Sequence, residues 1–437
     1  MLDLTYKSYR TIAKVAQRPP LGWNSWDVFG TNVTEAEVLA QAEVMATRLK
    51  PSGYEYLVID LGWYAPGSTA VHEAYKRPEP HQLIDPWGRL IPDPQRFPSA
   101  ANGAGFKPLA DRLHAMGLKF GIHVMRGIPI QAVHANAPIL GSTRHAQEIM
   151  KYQDRCVFYD GHYAVDMERD GALAYYQSVL ALYAAWGVDF VKADDTTSWP
   201  QHYDEVHAFR YALDTCGRPM VLSLSPGACG YMERGFVNHT GDMFRISGDL
   251  WDTWPALKAM FPTCRSWKGH TGPGRWADCD MLPLGVINVR GEAGDGERRD
   301  RFSAAERRTM VTLWAMFRSP LMIGSDLTRI DTETLALLTH PELLEINQTS
   351  TGNDEIQHDA EHSVWSAHST DGAHCWLALF NLSESTRPVQ VDLGAHGLAA
   401  FTQATAVWPS TPVAVSAGRL SQEVAAHAVG LIRLQRR

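Results

Sequence analysis

The sequence predicts an α/β fold, a (β/α)8 barrel followed by a C-terminal antiparallel β-sandwich, and three observations predict it. From about residue 20 to about 345, short β-rich runs alternate with helical stretches, the pattern of a parallel sheet wrapped by helices. The strand candidates number near eight, the count at which such a sheet closes into a ring. Past Gln348 the composition shifts to alternating apolar and polar runs between Gly, Ser and Pro clusters, with no helix-length periodicity. The chain of 437 residues therefore divides into 1–348, a barrel with an N-terminal extension, and 349–437, a β-sandwich.

In chain order the barrel strands are expected at 21–26, 56–60, 118–124, 188–193, 220–224, 244–246, 278–282 and 320–323. Two intervening helices have readable starts. Thr34 with Glu37 and Ser303 with Glu306 each match the capping box, in which side chain and backbone satisfy each other's hydrogen bonds. After Thr34, Val38, Ala42, Met45 and Leu49 recur at helical spacing, so that helix lays one face on the sheet. In the sandwich the clearest strands are 376–381, 389–393 and 429–434.

Composition narrows the function classes. With 45% hydrophobic and 20% charged residues the chain can bury a large core, which excludes a disordered or fibrous protein. Forty basic against forty-eight acidic residues give a net charge of −8, so no footprint for a phosphate backbone is present and nucleic acid is not an expected partner. No stretch approaches the ~20 apolar residues of a membrane span, and the amino terminus lacks the apolar run of a secretory signal. A cytoplasmic protein with no membrane partner is expected. The six cysteines are dispersed without a CxxC pair, and free, mostly buried thiols are expected in place of a zinc site or disulfide framework.

In such a barrel the active site lies at the carboxyl ends of the strands, so polar residues just after strand-like runs are the candidates. They are mostly acidic. Asp60 ends the second strand, Lys192 to Asp195 the fourth, Ser223 and Ser225 the fifth, and Arg245 leads to Asp249 at the sixth. Carboxylates on one rim serve either a divalent metal or paired acid/base work. A metal barrel would contribute histidines in HxH or HExxH arrangements; none of the eighteen histidines does so, and the strand-end His123 stands alone. Paired carboxylates are the better reading, because glycosidic cleavage needs one to attack the anomeric centre and one to protonate the leaving oxygen. Lys192 and Asp194, two apart in a strand, share a face, and the cation favours the ionised carboxylate. The plain alternatives are a strand-capping ion pair at Lys192–Asp194 and a simple turn at Gly248–Asp249. Trp23, Trp26, Trp63 and Tyr64 interleave with these positions as flat surfaces for a sugar or as ordinary barrel filling.

The runs Pro20-Leu-Gly-Trp-Asn-Ser-Trp26, Gly53-Tyr-Glu-Tyr-Leu-Val-Ile-Asp60, Trp186-Gly-Val-Asp-Phe-Val-Lys-Ala-Asp194, Arg245-Ile-Ser-Gly-Asp249 and Gly272-Pro-Gly-Arg-Trp-Ala-Asp-Cys-Asp-Met-Leu282, with Trp314 to Leu327 and Ile346-Asn-Gln348, resemble the α-galactosidase and α-N-acetylgalactosaminidase family, the melibiases. The resemblance covers roughly residues 20–350. It implies a retaining exo-α-glycosidase hydrolysing terminal α-D-galactosides without a metal or organic cofactor, with an α-linked oligosaccharide or glycoside as substrate partner. It places the nucleophile at Asp194 and the acid/base at Asp249. It assigns substrate binding to Trp26, Asp60, Lys192 and Arg245.

The chain also departs from the family pattern. Where relatives commonly carry two adjacent aspartates at the second strand end, Asp60 is followed by Leu61, so one hydroxyl-binding carboxylate is missing. His123 stands where a tyrosine is usual, Thr196 replaces a cysteine after the nucleophile, and the loop 125–129 differs. Ser225 and Ala228 are small where α-galactosidases place a glutamate and a larger side chain around the 2-hydroxyl, which resembles the α-N-acetylgalactosaminidase arrangement. The sugar, the linkage and any homo-oligomer stay open at this stage. So do a metal-dependent barrel hydrolase and a non-catalytic carbohydrate-binding barrel, as other classes of function.

Overall fold

The computed structural model describes residues 15–66, 80–156, 158–197, 202–291 and 296–436. Residues 1–14, on which most of the amino-terminal expectation falls, lie outside the described residues. Eight strands run in one curled sheet: β1 (Leu21–Asn24), β2 (Tyr56–Ile59), β3 (Lys119–Met125), β4 (Phe190–Asp194), β5 (Val221–Leu224), β6 (Met243–Arg245), β7 (Trp276–Asp278) and β8 (Leu321–Ile323). All seven ladders are parallel, and β8 lies beside β1. Leu282, beyond β7, bridges Ile323 and closes the ring: its N–H donates to the Met322 carbonyl (2.8 Å), and its carbonyl accepts from the Gly324 N–H (3.0 Å). The strands are short and buried on both faces, as a sheet lined inside by side chains and outside by helices requires. Gly22 lets β1 and β2 approach; a Cβ there would stand 2.3 Å from the Tyr56 carbonyl oxygen.

Both expected capping boxes form. Thr34 caps α1 (Glu35–Val44), and Ser303 caps a helix over Ala304–Phe317. Val38, Ala42, Met45 and Leu49 are all buried, although the helix widens into a π turn over Met45–Leu49. The seventh strand differs from expectation: it occupies Trp276–Asp278, ahead of the predicted 278–282. Asp280, at φ +85°, breaks the extended backbone there, while the Trp276 indole anchors the earlier residues by donating to the Ala16 carbonyl (2.7 Å). Between β3 and β4 the chain makes an unexpected excursion of three short antiparallel strands, with His162–Val165 between Ile128–Pro129 and Met150–Arg155, before the helix Ala172–Trp186.

Beyond the helix Pro341–Thr349 come nine antiparallel strands in two sheets. The six-stranded sheet comprises Thr351–His358, His362–His368, His374–Asn381, Val429–Arg436, Phe401–Ala406 and Thr411–Val413; the three-stranded sheet comprises Arg387–Asp392, Arg419–Val424 and Val415–Ser416. Alternation puts Val364, Leu377 and Ile432 toward Val389, Val391 and Leu420 in the space between the sheets. The opposite face of the larger sheet carries Trp365, Trp376 and Phe380 into the barrel's own core. Polar ties reinforce this seam. Arg265 pairs with the buried Glu355, and the Trp376 indole donates to Glu342 (2.8 Å). All six cysteines are free and five are buried, and no helix among the described residues is long and apolar enough to cross a membrane.

Candidate active site

A cavity of about 570 Å³ opens at the carboxyl ends of the barrel strands, a volume suited to a small sugar. Trp26, Asp60, Lys192, Asp194, Arg245 and Asp249 all face it, so six of the nine expected site residues meet in one place. The geometry that brings them together is strand-end placement. Asp60 follows β2, Lys192 and Asp194 share the inward face of β4, and Arg245 ends β6.

One half of the site is an ion cluster. Lys192 Nζ lies 2.8 Å from Asp60 Oδ2 and 3.8 Å from Asp194 Oδ1. Asp60 is further fixed by the Asn24 amide (2.7 Å to Oδ2) and by the Leu61 N–H (2.8 Å to Oδ1). His123, wholly buried, places Nε2 2.8 Å from Asp194 Oδ2. Burial alone would push both carboxyls up, but the Lys192 ammonium and His123 outweigh it and hold Asp60 below its ordinary value and Asp194 well below. The Ser225 hydroxyl adds to the effect on Asp194. Reciprocally, burial opposes the charge on Lys192 while Asp194 and Asp60 overcome it and raise its pKa. Asp60, His123 and Asp194 offer ligand atoms within 4.8 Å of one another, a spacing a metal ion could use. The Lys192 ammonium already stands against both carboxylates, so the donor set carries its own cation.

The other half is built on Arg245. Its Nη2 lies 3.1 Å from Asp249 Oδ1, and its Nη1 lies 2.8 Å from Asp280 Oδ1. Asp249 stands at the mouth with its side chain 57% exposed, whereas Asp280 is buried and accepts the Leu250 N–H at Oδ2 (2.7 Å). Burial lifts Asp280 to about 7, with Arg245 opposing and Asp249 and Asp278 adding. Asp27 faces the same cavity. Its buried Oδ2 has no hydrogen-bond partner among the described residues, and burial followed by the nearby Asp280 and Asp249 raises it well above the usual carboxylate range.

His123 and Ser225 are wholly buried and lie behind the cavity wall, where both act on Asp194. In the loop after β5 the residues facing the cavity are Pro226 and Gly227, and Ala228 is exposed outside it. Sequence reasoning missed Asp27, Phe158 and Asp280 among the lining residues. Asp280 was readable as a strand-end aspartate had the seventh strand been placed three residues earlier; Asp27 adjoins the recognised Trp26; Phe158 sits in the unexpected excursion and had no signal.

A family model described as α-galactosidase A matches residues 156–349. An α-galactosidase A of Cellvibrio japonicus is 30% identical over 361 residues, spanning 79% of this chain and 71% of its own. An α-galactosidase of Cyamopsis tetragonoloba is 26% identical over 95% of this chain and 85% of its own. Among solved structures, a GH27 β-L-arabinopyranosidase of Geobacillus stearothermophilus superposes with a TM-score of 0.93 at 44% identity, covering 96% of this chain and 97% of that one. The barrel and the sandwich are shared with that solved structure, and the chain belongs to the α-galactosidase (melibiase) family.

Proposed function

We propose that the protein is a retaining exo-glycosidase for terminal sugars of galacto configuration and that it favours the pentose β-L-arabinopyranose over galactose. The observation that carries this is Leu61 on the cavity wall beside Asp60, at the position where relatives commonly place a second hydroxyl-gripping aspartate. Removing the hydroxymethyl group from an α-D-galactopyranoside gives a β-L-arabinopyranoside with the same ring stereochemistry. An isobutyl side chain cannot bond the extra hydroxyl of galactose, and stripping water from an unpaired hydroxyl costs about 1–3 kcal/mol. The similarity to the Geobacillus β-L-arabinopyranosidase supports the same reading.

The chemistry then follows from the two halves of the site. Asp194, kept ionised by Lys192 and His123, attacks the anomeric carbon from one side. Asp249 gives a proton to the departing oxygen and afterwards takes one from the incoming water. Two inversions leave the configuration retained. Asp60 and Lys192 hold ring hydroxyls, and Trp26 supplies an apolar face.

The test is kcat/KM for aryl β-L-arabinopyranoside, aryl α-D-galactoside and aryl α-N-acetylgalactosaminide, in wild type and in Leu61→Asp. The pentoside should lead the galactoside by about 10- to 100-fold, the range an unpaired hydroxyl imposes. Leu61→Asp should close or reverse that gap. A wild-type preference for galactose that the substitution leaves unmoved would overturn the arabinose reading. Selective cleavage of the acetamido sugar would favour the α-N-acetylgalactosaminidase alternative, with Pro226 and Gly227 as the small residues facing the cavity.

A further inference from the structure

Arg245 is the only guanidinium facing the cavity among the described residues, and two carboxylates hang on it. One positive charge cannot neutralise both. We propose that Asp249 and Asp280 keep one proton between them across Arg245, and that Asp280 is the positioning residue that makes Asp249 an acid. The inference rests on the assignment of Asp249 as the acid/base and adds how its proton is retained.

The geometry separates the roles of the two carboxyls. Asp280 receives an N–H at each oxygen, Arg245 Nη1 at Oδ1 and the Leu250 amide at Oδ2, an arrangement that suits an acceptor-only carboxylate. Asp249 meets Arg245 through Oδ1 alone, at 3.1 Å, and its side chain is more than half exposed. When a sugar covers the mouth, Asp249 loses the water that favours its ionised form, and the shared proton is drawn to it. Like-charge pairs that share a site behave in this way, losing their protons in two well-separated steps. Burial lifts Asp280 first, Arg245 opposes it, and Asp249 adds to the rise.

The surrounding charges reinforce it. Asp278 at the end of β7 adds to the rise of Asp280, while Lys192 on β4 acts from across the cavity to lower Asp278 and Asp27. Asp27, after β1, is itself raised well above the usual range, by burial first and then by Asp280 and Asp249. In turnover the proton passes from Asp249 to the glycosidic oxygen as the bond from that oxygen to the anomeric carbon breaks and the Asp194 oxygen bonds to carbon. Water later returns a proton to Asp249 while its oxygen displaces Asp194. Asp280 neither gains nor loses a proton over the full cycle.

The experiment compares wild type, Asp249→Asn and Asp280→Asn on aryl glycosides of graded leaving-group ability, with a pH profile for each. In Asp280→Asn the uncompensated Arg245 should ionise Asp249 earlier. The basic limb of kcat/KM should then fall by one pH unit or more, and the loss should grow from under about 3-fold on dinitrophenyl to ~100-fold on phenyl glycosides, the scale of a missing general acid. An equal loss on every leaving group with the basic limb unmoved would overturn the inference and leave Asp280 a structural support. If Asp249→Asn itself shows no leaving-group dependence, the acid/base assignment fails first. Infrared titration of wild type and Asp249→Asn tests the pair without altering Asp280: a protonated carboxyl band titrating near pH 7 should move at least one unit lower when Asp249 is gone. A band that stays in place would also overturn the inference.

Discussion

Arg126 grips the carboxylate of Asp195 through Nε (2.9 Å) and Nη2 (2.7 Å), and its own backbone N–H donates to the carbonyl of Asp194 (3.0 Å). Asp195 is held at φ +62°, a conformation that a side chain adopts at a cost, so the turn immediately after Asp194 depends on this clamp. Glu205 (2.6 Å) and Asp154 (3.2 Å) complete the shell around a guanidinium that is 1% exposed.

Arg126→Met should therefore loosen the backbone that carries Asp194. Removing one partner from a buried charge network costs about 3–5 kcal/mol, here by stranding Asp195 and Glu205. Denaturant unfolding should show that loss, and kcat should fall at least 10-fold while KM changes less.

Lys192→Met removes the cation that holds Asp60 and Asp194 down. Both are buried, and without the ammonium they cannot remain ionised together, so one keeps its proton to higher pH. An acid whose pKa rises is lost as a nucleophile over a wider acidic range. The acid limb of kcat/KM should consequently move upward by more than one pH unit, and a limb that stays in place would remove Lys192 from the ionisation of Asp194.

Gly324 follows β8, and a Cβ there would stand 2.1 Å from Asp27 Oδ2. Gly324→Ala should displace the Asp27 carboxyl, raise KM and cost about 1–3 kcal/mol, the range for overpacking. Asp27→Ala in the same chain should restore part of the loss. A double-mutant cycle for stability checks this, with additive effects contradicting the contact.

At the seam between barrel and sandwich, Glu355 is buried and held by Arg265 and by the Ser363 hydroxyl (2.6 Å). Arg265→Ala should lower the calorimetric midpoint by several degrees and keep a single transition, since Trp365, Trp376 and Phe380 already belong to the barrel core. Two resolved transitions would show that the halves melt separately.

The legible parts of the structure were those written locally. Strand ends at Asp60, Asp194 and Arg245 could be read because apolar runs stop abruptly at polar residues, and Thr34 and Ser303 announced their helices by spacing alone. Asp280 escaped because its left-handed backbone ends β7 early, a conformation that the sequence Asp-Cys-Asp does not advertise. The excursion with Phe158 interrupts the regular β/α alternation and so had no template. The Arg126 clamp joins residues 28 to 79 positions apart, and nothing at Arg126 itself signals its partners.

The closure of the ring at Leu282 has a bearing on how the enzyme dies. Seven junctions of the barrel are ladders of paired strands, whereas among the described residues the eighth is bridged at one residue, by two backbone hydrogen bonds. Asp280 lies two residues from that clasp, and Asp60, Lys192 and Asp194 lie on the far, continuously laddered side. On warming, the clasp should part first, scattering the Arg245 half of the site while the lysine half stays intact. Heat should then silence the enzyme several degrees below the temperature at which its sheet collapses, leaving a folded protein that still grips a sugar and no longer cuts it.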